Sequence, residues 1–370
     1  MALVRQPRDD TETSHVPSLR EIALQVLALT REAGTPEAAK ARELVSTYLS
    51  DLGYTVISQG FTFPPSSLRA FPIFGAGLGG LSLVLFPLLY SSNLPRWAAL
   101  AALVAGLLSL TVLSTGIGLG WVSLGEGVRE DANLIATRGK SPPRRWIVAH
   151  LDSKAQGHSM AGRLVAVWVV GLAVVTLSVL SLVRLSGGLS PLLAGAGVLV
   201  ALVAGLLAGR GRLKGRSYGA RDNGTGVVAA LAAAGSDAPL GILITGAEEF
   251  GLVGARVFAR TWELAPGSEF VNVDTVDQEG RLYVVSHNES GQRLAVAMEI
   301  ALSGLGLPIR RRRLPLGIFV DSAPLARIAP AVTVGRLTWR TLKCIHTAAD
   351  VSTGLSYRTA EQVGKAIASN

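Results

Sequence analysis

Gly219-Ala220-Arg221-Asp222-Asn223-Gly224-Thr225-Gly226 sets one carboxylate, Asp222, in a run rich in glycine. Residues without side chains let the backbone turn tightly and carry a carboxylate close to a cation, so Asp222 is a candidate to bridge two metal ions. Asp and Asn also bond their own backbone and Gly accepts positive φ, so the same run reads equally as a plain turn. Other acids and imidazoles, far off in the chain, decide between the two.

Downstream of the turn, residues 227–234 read as a helix and 240–245 as a buried strand that ends in Gly246-Ala247-Glu248-Glu249. Adjacent carboxylates after a strand can divide labour, one binding a metal and the other moving a proton, although paired glutamates also commonly begin a helix. Residues 270–274 form a further strand ending in Asp274, and His346 stands isolated near the C-terminus. Upstream, 133–137 and 145–153 read as strands, the second with a polar end, His150-Leu151-Asp152-Ser153. A histidine and an aspartate two apart at a strand end share a face, so His150 can ligate a metal while Asp152 accepts the hydrogen bond of its other ring nitrogen.

Composition adds a second theme. Of 370 residues, 49% are hydrophobic and only 16% charged, with a mean hydropathy of +0.41, too apolar for an ordinary soluble enzyme. Four charge-free runs account for this: 71–90, about 97–121, 164–183 and 189–208. Each has the length needed to cross a bilayer, and each pair is joined by a short polar turn, so the chain is expected to carry two transmembrane hairpins, 71–122 and 164–208. Prolines and glycines within them are tolerated in membrane helices. A hairpin returns the chain to the side it left, so 17–70, 123–163 and 209–370 are expected to form one discontinuous domain on one face of the bilayer, after a loose tail at 1–16. Arg69, Arg163, Arg210, Arg212, Lys214 and Arg216 flank the spans on that side, against Arg96 and Arg184 in the turns, which places the domain in the cytoplasm.

The remaining features are bounded quickly. Residues 1–16 contain no apolar core of a cleavable signal. Ser18 opens an amphipathic helix, Thr35-Pro36-Glu37 opens a second that Gly53 ends, and 54–58 read as a strand. A net charge of +9 invites a nucleic-acid partner, but no basic stripe interleaved with aromatics exists. Arg310 to Arg313 read as a solvated or membrane-facing loop. A single cysteine, Cys344, excludes an intrachain disulfide and reads as buried filler. His158 reads as a solvated loop residue with an option to touch substrate, while Lys154, His15 and His287 carry no assignment.

Taken in order, Thr35-Pro36-Glu37, Asn133-Leu134-Ile135-Ala136, His150-Leu151-Asp152-Ser153, the Gly219 turn, Glu248-Glu249, Asn272-Val273-Asp274, Asp321-Ser322-Ala323-Pro324 and His346-Thr347-Ala348-Ala349-Asp350 resemble the zinc aminopeptidases of family M28. The resemblance implies an α/β fold, a mixed, mainly parallel sheet sandwiched by helices, here with four transmembrane helices added. It implies two zinc ions, with cobalt or manganese admissible: one held by His150 and Asp274, the other by Glu249 and His346, and Asp222 between them. Glu248 would be the general base and Asp152 would orient His150. A non-proline cis peptide is implied after Asp222. One departure concerns Asp321, which the family often follows with a histidine and this chain follows with Ser322 and Ala323. The expected substrate is a peptide with a free N-terminus, apolar or membrane-derived because the second hairpin is inserted between Asp152 and Asp222. Other readings are a single-zinc enzyme like the glutaminyl cyclases, an inactive scaffold or receptor, and a transporter, against which the spans offer no charged residue at membrane depth.

Overall fold

The computed structural model describes residues 17–125, 127–314 and 318–369; the expected loose tail at 1–16 lies outside them. Helix α1 (Leu19–Leu27) begins at a capping box between Ser18 and Glu21, and α2 (Pro36–Asp51) at Thr35, whose hydroxyl accepts from the Ala38 N–H. Strand β1 (Thr55–Phe63) follows, then the long apolar helices α3 (Ala70–Tyr90) and α4 (Ala98–Gly118). β2 (Arg129–Thr137) and β3 (Arg145–His150) precede a second long pair, α5 (Met160–Ser186) and α6 (Pro191–Gly209). Next come α7 (Gly226–Ala234), β4 (Leu240–Thr245), α8 (Val253–Thr261), β5 (Glu269–Val276), β6 (Arg281–Ser286) and α9 (Glu289–Ser303). The chain closes with β7 (Ile309–Arg313), α10 (Ser322–Leu325), β8 (Ala331–Leu337), α11 (Trp339–Cys344) and α12 (Arg358–Ala368).

The eight strands form one sheet in the order β1-β2-β4-β3-β5-β8-β6-β7. Its centre, β4-β3-β5-β8, is parallel, and antiparallel pairs β1/β2, β2/β4 and β6/β8 extend it. The central strands read as continuous apolar runs because both faces are covered. Ile147, Ala149, Ile242, Ile244, Val271 and Val273 pack on one side against α1, α2, α7, α9 and α12. Trp146, Val148, Leu243 and Phe270 point to the other, where Phe258 of α8 and Leu325 of α10 meet them. This is the mixed, mainly parallel, helix-covered sheet expected from the sequence. One expectation is corrected: Arg310 to Arg313 are not a loop but lie in β7, the edge strand paired with β6. An edge strand needs no buried face, and its charges keep a second sheet from pairing there.

Both long helical pairs grow from places where the chain already closes on itself. Phe63 at the end of β1 pairs with Arg129 at the start of β2, so α3 and α4 occupy the loop of a β-hairpin. The second pair is closed at its base by a bridge between Gln156 and Leu213, with Gly157 N–H donating to the Arg212 carbonyl at 3.1 Å and Lys214 N–H to that of Ala155 at 3.1 Å. Four helices are long and apolar enough to cross a membrane, and Leu108, Val112, Trp168, Leu192 and Leu206 lie exposed on them. α3 and α6 cross closely: a Cβ on Gly75 would sit 2.3 Å from Ala208 Cβ, and one on Gly205 would sit 2.8 Å from the Gly75 carbonyl oxygen. Small residues at such a crossing let two apolar helices approach backbone to backbone. At the far end, Arg184 is buried and donates to the carbonyls of Leu88, Ser91, Leu94 and Gly187, tying the two turns together.

Candidate metal centre

The C-terminal ends of the parallel strands deliver the acids and imidazoles to one place. β3 ends at His150, β4 leads through Gly246 and Ala247 to Glu248 and Glu249, and Asp274 lies late in β5. Asp222 arrives on the turn between α6 and α7, and His346 just after α11, with a left-handed backbone at φ 66°. His150, Glu248 and Asp274 offer ligand atoms within 4.8 Å of one another, as do Asp222, Glu249 and His346. Asp222 joins the two groups: its Oδ1 lies 3.3 Å from His150 Nε2 and its Oδ2 3.2 Å from His346 Nε2. Glu249 Oε1 is 3.1 Å from His346 Nε2, and Asp274 Oδ1 is 3.9 Å from His150 Nε2.

The donor set fits metal ions. Mixed histidine and carboxylate ligands are those of zinc sites, and Glu249 Oε1 and both ring nitrogens of His346 are buried without a hydrogen-bonding partner among the described residues. Buried polar atoms without partners are costly and call for a missing ligand or ion. The Asp222–Asn223 peptide bond is cis. Asn223 Nδ2 donates to the Val273 carbonyl and its Oδ1 accepts from Gly226 and Thr275, stitching the Asp222 turn to β5 beside Asp274. Asp350 accepts from the N–H groups of Arg221 at 2.8 Å and Asp222 at 3.2 Å.

Asp152 makes contacts with the glutamates beside those with His150. His150 Nδ1 lies 3.1 Å from the Asp152 main-chain carbonyl, which can only accept, so Nδ1 carries the hydrogen and Nε2 is left to face Asp222. The Asp152 carboxylate is 3.7 Å from Nδ1 and spends its oxygens on the N–H groups of Glu248 at 3.0 Å and Glu249 at 3.1 Å. It therefore positions the paired glutamates as well as the histidine loop.

Electrostatics drives those two glutamates apart. Burial pushes the Glu248 carboxyl well above the usual carboxylate range, with Glu249, Asp321 and Asp274 adding to it against His150. Burial works the same way on Glu249, but Lys154 and His346 outweigh it and hold that carboxyl at about 2. Adjacent carboxylates split in this manner suit different tasks, one as a fixed anion and one as a proton carrier. Burial disfavours charge on His150 and His346, yet the surrounding carboxylates raise both above the ordinary imidazole value.

A model of Peptidase family M28 matches residues 208–370. The match makes residues 208–370 similar to peptidase family M28. This M28 segment contains Asp222, Glu248, Glu249, Asp274 and His346, while His150 and Asp152 precede it. No curated protein matches the chain in sequence. Among solved structures, the aminopeptidase from Aneurinibacillus sp. strain AM-1 superposes with a TM-score of 0.56 at 15% identity, covering 94% of this chain and 92% of that one. BSAP, a zinc aminopeptidase from Bacillus subtilis, gives 0.54 at 16%, with 96% and 94% covered. The glutaminyl cyclase of Fimbriiglobus ruber gives 0.55 at 14%, with 99% and 98% covered. At these identities the likeness establishes the fold, which peptidases and cyclases share.

Several residues around the cluster add to or depart from the sequence reading. Lys154 is buried with its Nζ 2.6 Å from Glu249 Oε2, which leaves Oε1 to face His346; its spacing of two from Asp152 at a strand end was the available signal. His158 is half-buried rather than solvated, and neither ring nitrogen has a partner among the described residues. Cys344 is half-buried, not filler of the core. Asp321 belongs to neither ligand group: it accepts from the Thr245 hydroxyl, and burial pushes its carboxyl up to about 7. Ser322, at the position of the missing histidine, lies 2.7 Å from His287 Nε2.

Arg31 had no sequence signal, because its closer partners are 120 and more residues away. It is fully buried and donates to the carbonyls of Leu151 at 2.7 Å, Tyr218 at 2.6 Å and Gly219 at 2.9 Å. Those carbonyls belong to the two loops that carry His150 and Asp222, on either side of the second helical pair. Ser153 completes the clamp, accepting from Arg31 N–H and donating to the Ser217 carbonyl. Arg31→Met strands buried carbonyls, which costs about 1–3 kcal/mol for each one left without a donor. The expected result is a lowered melting temperature together with weakened zinc uptake, read by thermal denaturation and metal titration. An unchanged zinc affinity in a destabilised protein would restrict Arg31 to a folding role.

Proposed function

We propose that this chain is a membrane-embedded metallo-aminopeptidase that removes N-terminal residues from peptides with two zinc ions and a glutamate base. The observation that carries the reading is the division of Asp222, whose two oxygens address two separate histidines. His150 and Asp274 would hold one zinc, Glu249 and His346 the other, with Asp222 common to both; cobalt or manganese is admissible. When bound, the metal pair supplies Lewis acidity that polarises a scissile carbonyl and lowers the pKa of water. Glu248, buried beside the first ligand group, takes a proton from the attacking water and returns it to the leaving amine as the C–N bond breaks. Asp152 holds the backbone from which both glutamates project, and Lys154 fixes the orientation of Glu249.

The four apolar helices are read as two membrane hairpins, with the peptidase domain, 17–70, 123–163 and 209–370, on the cytoplasmic side where the flanking basic residues gather. Because the second hairpin starts beside the ligand loops, apolar or membrane-derived peptides are the favoured substrates. Purified protein is expected to contain two zinc ions per chain and to hydrolyse aminoacyl amides in a chelator-sensitive way. One zinc per chain with cyclisation of N-terminal glutaminyl peptides and no amide hydrolysis would overturn this in favour of a cyclase; full zinc content with neither activity would make the protein a scaffold. Access to a C-terminal tag only from outside the cell would reverse the orientation.

A further inference from the structure

The two histidines of the cluster are held by different means. A histidine that binds metal usually donates its second ring N–H to a carbonyl or carboxylate, which fixes the ring. His150 has such a partner, its Nδ1 lying 3.1 Å from the Asp152 carbonyl. His346 has none: its Nδ1 is buried without a hydrogen-bonding partner among the described residues. Its backbone is also left-handed, at φ 66°, a conformation that a residue other than glycine keeps only where its surroundings impose it. Here the chain entering the second helical pair imposes it. Gln156 N–H donates to the His346 carbonyl at 3.0 Å, and Met160 N–H, at the start of α5, to the Ile345 carbonyl at 3.3 Å.

The segment that makes these bonds is itself fastened to the chain leaving the pair. Gln156 is buried, and its Nε2 donates to the Gly211 carbonyl at 2.7 Å. The fit beside it is close, since a Cβ on Gly157 would lie 2.6 Å from the Arg210 carbonyl oxygen. Two residues before Gln156, Lys154 Nζ meets Glu249 Oε2 at 2.6 Å, so Glu249 and His346 both lean on residues 154–156. The His150 side is held separately, because Arg31 bonds Leu151 and Ser153 before the chain reaches Gln156. Slack at the base of the pair therefore reaches the group of Asp222, Glu249 and His346 and stops short of His150.

We propose that Gln156 is a positioning residue for His346: the base of the α5–α6 pair stands in for the ring partner this histidine lacks and sets the strength of the metal position it helps to form. The inference rests on the two-zinc reading. The test uses full-length protein in nanodiscs, with zinc titrated against a competing chelator. Asp274→Ala takes a ligand from the first position and His346→Ala one from the second, so each background isolates the other ion. Gln156→Leu, similar in size but without the donor, is added to both. In the Asp274→Ala background it is expected to weaken zinc by about 10- to 100-fold, the usual effect of losing a ligand's outer partner, and to alter the visible absorption of cobalt bound in place of zinc. In the His346→Ala background the affinity should not change. Gly157→Ala, which presses on the Arg210 carbonyl and leaves Gln156 intact, should repeat the pattern. Arg184→Gln, at the far end of the same pair, should lower the melting temperature and leave both affinities as they were. Equal losses in the two backgrounds, or a lowered melting temperature with zinc affinity unchanged in both, would overturn the inference and reduce Gln156 to a folding role. A wild type holding a single zinc would overturn the two-zinc reading alone if Gln156→Leu still weakens that ion, and the inference as well if it does not.

Discussion

Glu248→Gln is expected to lose hydrolysis by about 10²- to 10⁴-fold in kcat, the range typical of a positioned proton carrier, while keeping its zinc. Glutamine has the shape of glutamate, and the Glu248 main-chain bond to Asp152 Oδ1 does not involve the side chain. The Glu248 carboxylate has no salt-bridge partner among the described residues, whereas Glu249 is held by Lys154 and His346. Removing its ability to accept a proton therefore touches the chemistry and little else. The check is kcat on an aminoacyl amide alongside zinc content of the same preparation. Full activity in a zinc-replete variant would remove Glu248 from the mechanism; lost zinc would make it a ligand of the group it shares with His150 and Asp274.

Asp222→Ala is expected to empty both metal positions at once. Each of its oxygens faces a different histidine, so one substitution takes a ligand from both groups. Outer partners of metal ligands typically contribute 10- to 100-fold in affinity, and a shared direct ligand is expected to exceed about 100-fold. Metal analysis after dialysis, compared with Asp274→Ala, reads the result. The Asp274 variant should retain one zinc and the Asp222 variant none. One zinc retained in both would mean that Asp222 serves a single ion.

The candidate ligands other than His346 were legible in the sequence because each follows a short apolar run readable as a buried strand, or lies in a glycine turn. His346, which follows the polar helix α11, stood out only through the family resemblance. His150 after Trp146 to Ala149 and Glu248 after Leu240 to Thr245 are the clearest cases. Chemistry sits at strand ends in such sheets, so a polar residue there stands out. Lys154 was legible only weakly, by its spacing from Asp152, and Arg31 not at all, because what gives them meaning is a partner brought close only by folding: Glu249 for the first, the Leu151 and Gly219 carbonyls for the second. Arg310 to Arg313 misled for the opposite reason. Four adjacent charges deny a buried face, and a strand at the sheet edge has none to deny.

The hairpin-in-a-loop architecture has a consequence for how the protein is made. Phe63 and Arg129 are partners in one β-ladder, and Gln156 and Leu213 in one bridge, yet an apolar helical pair separates the members of each on the ribosome. If the pairs enter a bilayer as proposed, neither closure can form until the intervening helices have been handed to the insertion machinery and the chain has come back. β4, which joins β2 to β3, emerges only after both insertions, and His346 emerges last of all the ligands. On the proposed reading, the nascent chain would lack a complete set of candidate ligands throughout its passage into the membrane, and proteolytic competence would arise only after anchoring.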